Sequence, residues 1–143
     1  MWLAARAKIP AASELHSNNP LRLIGTVNLD GPPDLNSARA VEKQICGSPV
    51  ITTMMGGGAD TQAARYRAGS PIEMLPYGGR QAFLAGAMFG SQVDAYATAA
   101  KRAGDDVAAV SFAKAGHFLF IDPQSEIWPE VMRSVRRILS MPQ

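Results

Sequence analysis

Apolar positions recur along this chain with two different periods, and segments of one period alternate with segments of the other. Partly alternating or β-branched runs predict strands, whereas apolar residues spaced three and four apart predict helices. Strands are predicted over 21–29, 81–88 and 107–112. Helices are predicted over 35–45, 91–103 and 125–139, with the end of a helix at 1–8 and a brief one at 60–66. Residues 50–55 fit either a helical turn or a short strand.

Strands that alternate with helices favour parallel βαβ units with right-handed crossovers. The predicted fold class is therefore α/β, with a short parallel sheet of about three strands flanked by helices. A chain of 143 residues has room for one ordinary domain, so residues 1–143 are expected to form a single unit.

Composition excludes several classes of protein. The chain is 47% hydrophobic and 18% charged, which argues against disorder. It has no apolar run near the roughly 20 residues of a membrane span, and its net charge of +2 is too small and scattered for nucleic-acid binding. The single cysteine, Cys46, permits no internal disulfide, and we expect it to be buried. We therefore expect a cytoplasmic protein with no cofactor, metal, nucleic-acid or membrane partner.

One of the two histidines follows a predicted strand. His117 comes after the strand 107–112, and functional residues of α/β sheets gather at the carboxyl ends of strands. A capping or core role for His117 is the structural alternative. His16 lies in a polar loop and is expected to be simply solvated.

Four segments resemble the α/β-hydrolase fold family, in its esterase and prolyl-oligopeptidase-like serine hydrolase branches. They appear in the order that the family has, and they cover nearly the whole chain. The segments are Asp30-Gly31-Pro32-Pro33-Asp34-Leu35, Tyr66-Arg67-Ala68-Gly69-Ser70-Pro71, residues 93–106, and Gly116-His117-Phe118 with Ile121-Asp122-Pro123 and Trp128-Pro129. The resemblance implies the C-terminal half of such a fold and hydrolysis of a small ester or peptide-like substrate. His117 would be its general acid and base.

The nucleophile of that family is not apparent in this chain. A serine on the elbow G-x-S-x-G is required, and that pentapeptide does not occur here. The opening residues resemble the helix that follows the elbow, so the resemblance implies that the elbow lies upstream of Met1. Within the chain, Ser91 beside Gly90 is the best-placed serine, although a role as N-cap of the following helix explains it better.

The acidic partner of His117 is a second open question. Phe89 stands where the family has an aspartate, and Asp94 is the nearest substitute, although it could instead be a charge that favours the helix dipole. Asp30 and Asp34 could form an acid–base pair, but beside two prolines they are better explained as shaping a turn and capping a helix.

Two functions follow as expectations. The first is a serine hydrolase in which His117, Asp94 and Ser91 are the candidate catalytic residues. The second is a non-catalytic remnant of such an enzyme that acts as an oligomerising or interaction module. In either case the apolar strand 21–29 would form an exposed sheet edge, and we expect a homo-oligomer, most simply a dimer, through that edge or the helix at 1–8.

Overall fold

Three parallel strands alternate with helices in the computed structural model, which describes residues 2–13 and 15–140. The strands are β1 (Gly25–Leu29), β2 (Arg80–Ala85) and β3 (Val107–Ser111). The α-helices of the described residues are α1 (Leu35–Cys46), α2 (Val50–Met55), α3 (Ala63–Gly69), α4 (Gly90–Arg102) and α5 (Trp128–Leu139). Short 3₁₀ helices cover Trp2–Lys8, Pro71–Met74 and His117–Ile121. The residue Met1 of the predicted first helix lies outside the described residues.

The three strands form one sheet in the order β1-β2-β3, and both neighbouring pairs are parallel. Val27 lies opposite Ala82, which in turn lies opposite Ala108. The predicted parallel α/β architecture is therefore confirmed, and β2 is its central strand.

Helices cover both faces of the sheet because β2 is apolar on both sides. Phe83 and Ala85 point to one face, where they pack with Val93 and Tyr96 of α4. Leu84 points to the other face. Its cluster consists of Ala115, Phe120, Ile127 and Val131, the last of which lies on α5. The result is a small three-layer arrangement of helix, sheet and helix.

Strand β1 is shorter than predicted. Its partner strand begins at Arg80, opposite Gly25, so residues 21–24 have no neighbouring strand to pair with. These four residues are exposed. A side chain at Gly25 would collide with the Arg80 carbonyl and with Ile138, which shows how closely α5 approaches this end of the sheet. Cys46 also differs from expectation, because it is exposed at the end of α1 rather than buried.

The ambiguous segment 50–55 is helical, and a carboxylate on α1 explains why. Glu42 Oε2 accepts hydrogen bonds from the backbone N–H groups of Ile51 (2.7 Å) and Thr52 (3.0 Å), which lie in the first turn of α2. Its Oε1 accepts from the Thr52 hydroxyl. Burial alone would raise the pKa of Glu42, but these hydrogen bonds outweigh it and lower the pKa.

A second polar network joins the amino ends of the strands. Asp105 Oδ2 accepts from Tyr77 N and from Gln81 Nε2, both at 2.7 Å, while Oδ1 accepts from Gly78 N at 2.9 Å. The Tyr96 hydroxyl donates to the Gln81 side-chain oxygen. Burial raises the pKa of Tyr96, so its hydroxyl remains a proton donor.

In the part of the chain that the structure describes, no helix combines the length and the apolar character needed to cross a membrane.

Candidate functional site at the Asp30–His117 pair

Asp30 is the first residue after β1 and is completely buried. Its φ of 52° is unusual for a residue with a side chain, although aspartate tolerates this region better than most. The backbone around it is held by two bonds: Asp30 N donates to Leu84 O at 2.7 Å, and Asn28 Oδ1 accepts from Gly31 N at 2.7 Å. The tight turn of Asp30-Gly31-Pro32 thus points the carboxylate back over the end of the sheet.

Both oxygens of the Asp30 carboxylate accept hydrogen bonds from loops that follow other strands. Oδ2 lies 2.8 Å from His117 Nδ1, and Oδ1 lies 2.8 Å from the backbone nitrogen of Gly86. Gly86 follows β2 directly, and His117 lies beyond β3. The carboxyl ends of all three strands therefore contribute to one cluster, as the parallel arrangement requires.

The loop after β3 places the His117 ring at the mouth of this cluster. Ala87 N donates to Ala115 O at 3.1 Å, which ties the loop to the segment after β2. Phe120, three residues further on, is fully buried in the core beside Leu84. The His117 side chain itself is 39% exposed, so it is anchored on one side and open to solvent on the other.

The two ring nitrogens of His117 have different surroundings. Nδ1 is engaged by the buried carboxylate, whereas Nε2 has no hydrogen-bond partner among residues 2–13 and 15–140. Donation from Nδ1 to a carboxylate selects the neutral tautomer in which Nδ1 carries the proton. The lone pair of Nε2 is then available to take a proton from a molecule arriving from solvent.

His16 provides a useful contrast. Its Nδ1 lies 2.8 Å from Ile9 O and its Nε2 lies 3.1 Å from Asn18 Oδ1, so both nitrogens are occupied by neighbours in the same loop. Its role is to stabilise that loop, and no ring nitrogen is left for a substrate.

The structure does not join Asp94 or Ser91 to His117. The carboxylate on His117 Nδ1 is that of Asp30, while Asp94 is an exposed residue within α4. Ser91 is exposed in the first turn of α4, where its side chain makes no capping bond because the helix begins at Gly90. It lines a pocket of ≈ 410 Å³ between α1 and α4, and His117 is not among the lining residues.

Asp30, whose carboxylate contacts His117, was expected to shape the turn instead. Asp34 does have the predicted structural role, because it caps α1 by accepting from Asn36 N at 2.9 Å. Asp30 differs in lying directly at the carboxyl end of a strand, the same signal that singled out His117. That position was the available evidence for a site residue.

Among residues 2–13 and 15–140, no group of three histidine, cysteine, aspartate or glutamate side chains could hold a metal ion. Comparisons with known proteins do not extend this description: no family model, no curated protein and no solved structure matches the chain.

Proposed function

We propose that this protein belongs to the serine hydrolases of the α/β-hydrolase type and cleaves esters or amides, with His117 as general acid and base and Asp30 as its carboxylate partner. The observation that carries the proposal is the 2.8 Å contact between the fully buried Asp30 carboxylate and Nδ1 of a histidine whose Nε2 is open. The resemblance of the Gly116-His117-Phe118 loop to the histidine loop of that family agrees with it.

The proposed reaction uses the different surroundings of the two ring nitrogens of His117. Nε2 takes the proton of a hydroxyl group as the hydroxyl oxygen attacks the carbonyl carbon of the substrate. The same proton then passes from Nε2 to the leaving oxygen or nitrogen as its bond to the carbonyl carbon breaks. The Asp30 carboxylate holds the ring in orientation and stabilises the imidazolium that forms between the two steps.

The proposal also needs a source for the attacking hydroxyl group. In the family that the chain resembles it comes from a serine elbow, and no side-chain hydroxyl of the described residues is hydrogen-bonded to His117 Nε2. For the chain alone, water approaching Nε2 takes that place, so we expect slow hydrolysis of activated short esters rather than efficient turnover.

The test is hydrolysis of a p-nitrophenyl ester of a short acid by the purified chain and two variants. His117→Ala is expected to lower the rate at least about 100-fold, the lower end of what a positioned general base contributes. His16→Ala is the matched control, because it removes the other histidine, and it should leave the rate unchanged. Ser91→Ala tests whether that serine is the nucleophile, because an unchanged rate would exclude it. Equal rates for His117→Ala and the unaltered chain would refute the proposal.

A second function, an oligomerising module, is favoured by a different observation. Leu21, Ile24 and Leu139 are all more than half exposed, and Ile24 and Leu139 line one cleft of ≈ 500 Å³ at the amino end of β1. This apolar surface lies at the opposite end of the strands from His117. It would suit association of two copies, in line with the expected homo-oligomer.

A further inference from the structure

Gly86 occupies a place where a side chain has no room. A Cβ atom on this residue would lie 2.5 Å from Ala115 O, 3.2 Å from Phe120 Cε2 and 3.3 Å from Asp30 Oδ2. The first distance is shorter than real Cβ contacts, and the obstructing atom belongs to backbone that already accepts a hydrogen bond from Ala87 N. The segment after β2 can approach the histidine loop this closely only because residue 86 is glycine.

The backbone of the same residue contacts the carboxylate. Gly86 N donates to Asp30 Oδ1 at 2.8 Å, while His117 Nδ1 lies on Oδ2. A carboxylate held at one oxygen can still rotate about its bond to Cβ. Because a donor at the end of β2 holds Oδ1, the carboxylate presents Oδ2 to the histidine in a single orientation.

We infer that Gly86 is a positioning residue for the Asp30–His117 pair: its N–H orients the carboxylate, and its missing side chain lets the two loops close around it. The inference rests on the proposed function for its link to catalysis, but the positioning itself is measurable without turnover. It also gives a role to the segment Ala85-Gly86-Ala87-Met88-Phe89, in which Phe89 stands where an acid was expected. This segment contributes a donor to a carboxylate that comes from the neighbouring strand.

The test compares two glycine variants by NMR of the histidine ring. Gly86→Ala should speed solvent exchange of the His117 Nδ1 proton at least about tenfold, since a hydrogen bond to a charged group is lost or bent. It should also shift the neutral ring toward the Nε2–H tautomer. Gly90→Ala is the matched control, because its Cβ would meet only Ser111 atoms at an ordinary 3.8 Å. The His16 signals, far along the chain, should not change in either variant.

A second variant covers the case in which Gly86→Ala does not fold. Replacing Gly86 by glycolic acid, which turns its backbone amide into an ester, deletes the N–H donor and adds no bulk. The same rise in exchange of the Nδ1 proton is expected, together with a lower rate of ester hydrolysis. An unchanged exchange rate and tautomer in the ester variant would overturn the inference. If His117→Ala retains hydrolysis while the ester variant shows faster exchange, the proposed function fails and the positioning role stands.

Discussion

At the scale of single residues, the Asp30 carboxylate is the costliest group in the site. It is fully buried, and its two hydrogen bonds come from His117 and Gly86. A buried charge with so few donors contributes little to stability by itself. Under the proposed function, the carboxylate serves to orient the histidine ring, so its replacement should affect activity more than stability.

The two members of the pair should therefore differ when replaced. Asp30→Asn removes the buried charge and keeps an acceptor for Gly86 N, so we expect it to lower the free energy of unfolding by less than about 1.5 kcal/mol. His117→Ala leaves the carboxylate buried with one bond, and we expect a larger loss of about 3 kcal/mol, the lower end for breaking a buried pair. Urea denaturation measures both. A greater loss for Asp30→Asn would contradict this account of the pair.

At this scale the sequence predicts His117 as a site residue, whereas Asp30 is an acid–base candidate that the prolines beside it assign to a turn. His117 was recognisable because it follows a strand and a resemblance points to it. Asp30 is 87 residues away, and the two meet only because parallel strands bring their carboxyl ends to one edge. Asp94 was closer in the expected family pattern, but within α4 it faces solvent. The position of Asp30 at a strand end marks it as a candidate, but which residues meet at that edge depends on loop geometry that no local pattern encodes.

At the scale of elements, period and glycine placement predicted most of the fold. Strands β2 and β3 and helices α1, α4 and α5 lie where the patterns place them, with ends displaced by a few residues. The larger errors have tertiary causes. Residues 21–24 lack a partner strand, and α2 is a helix because Glu42, from a different element, caps its first turn.

The Glu42 contact makes stability depend on pH in a definite direction. Its pKa is lower in the folded protein than the ordinary 4.5, so the unfolded chain binds the proton more readily. The stabilisation is therefore present above about pH 4.5 and is lost as the pH falls through the lowered pKa. Glu42→Gln should be less stable than the unaltered chain at pH 7, and the difference should shrink in acid.

Thermal unfolding at several pH values tests this, with Glu126→Gln as the control because Glu126 is exposed. A difference for Glu42→Gln that stays constant down to pH 3 would show that the carboxylate does not clamp α2.

Replacing the Asp105 carboxylate by a neutral amide should destabilise the folded protein. In Asp105→Asn, either orientation of the new amide turns an NH₂ group toward a backbone N–H of Tyr77 or Gly78, both of which need an acceptor. One buried donor is left unsatisfied, at a cost of about 1–3 kcal/mol in the free energy of unfolding.

Asp106→Asn is the matched control one residue along. Asp106 is exposed and pairs with Arg80 and Arg137, and surface ion pairs contribute at most about 1 kcal/mol. Denaturant titration should rank the two variants in this order. Equal stabilities of Asp105→Asn and Asp106→Asn would show that the Asp105 hydrogen bonds do not stabilise the fold.

At the scale of the whole molecule, the sheet is unpartnered on the outer side of β1 within the described residues, and apolar residues gather at the amino end of that strand. We expect two copies to associate through the surface formed by Leu21, Leu23, Ile24 and Leu139. Ile24→Lys would place a charge on this surface and should convert a dimer to a monomer.

Sedimentation at micromolar concentration measures this. Met54→Lys is the control, since Met54 is as exposed as Ile24 (64% against 62%) but lies on α2. A chain that is monomeric without any substitution, or a dimer that survives Ile24→Lys, would rule out this surface as the interface.

The central claim is that buried Asp30 keeps the proton of neutral His117 on Nδ1 and leaves Nε2 free to act as a base. The ¹⁵N chemical shifts of the imidazole ring, recorded for the unaltered chain at a pH where the ring is neutral, report this tautomer directly. We predict a protonated Nδ1 and an unprotonated Nε2 for His117. A ring that carries its proton on Nε2, with Nδ1 bare beside the carboxylate, would contradict both the site and the function proposed for it.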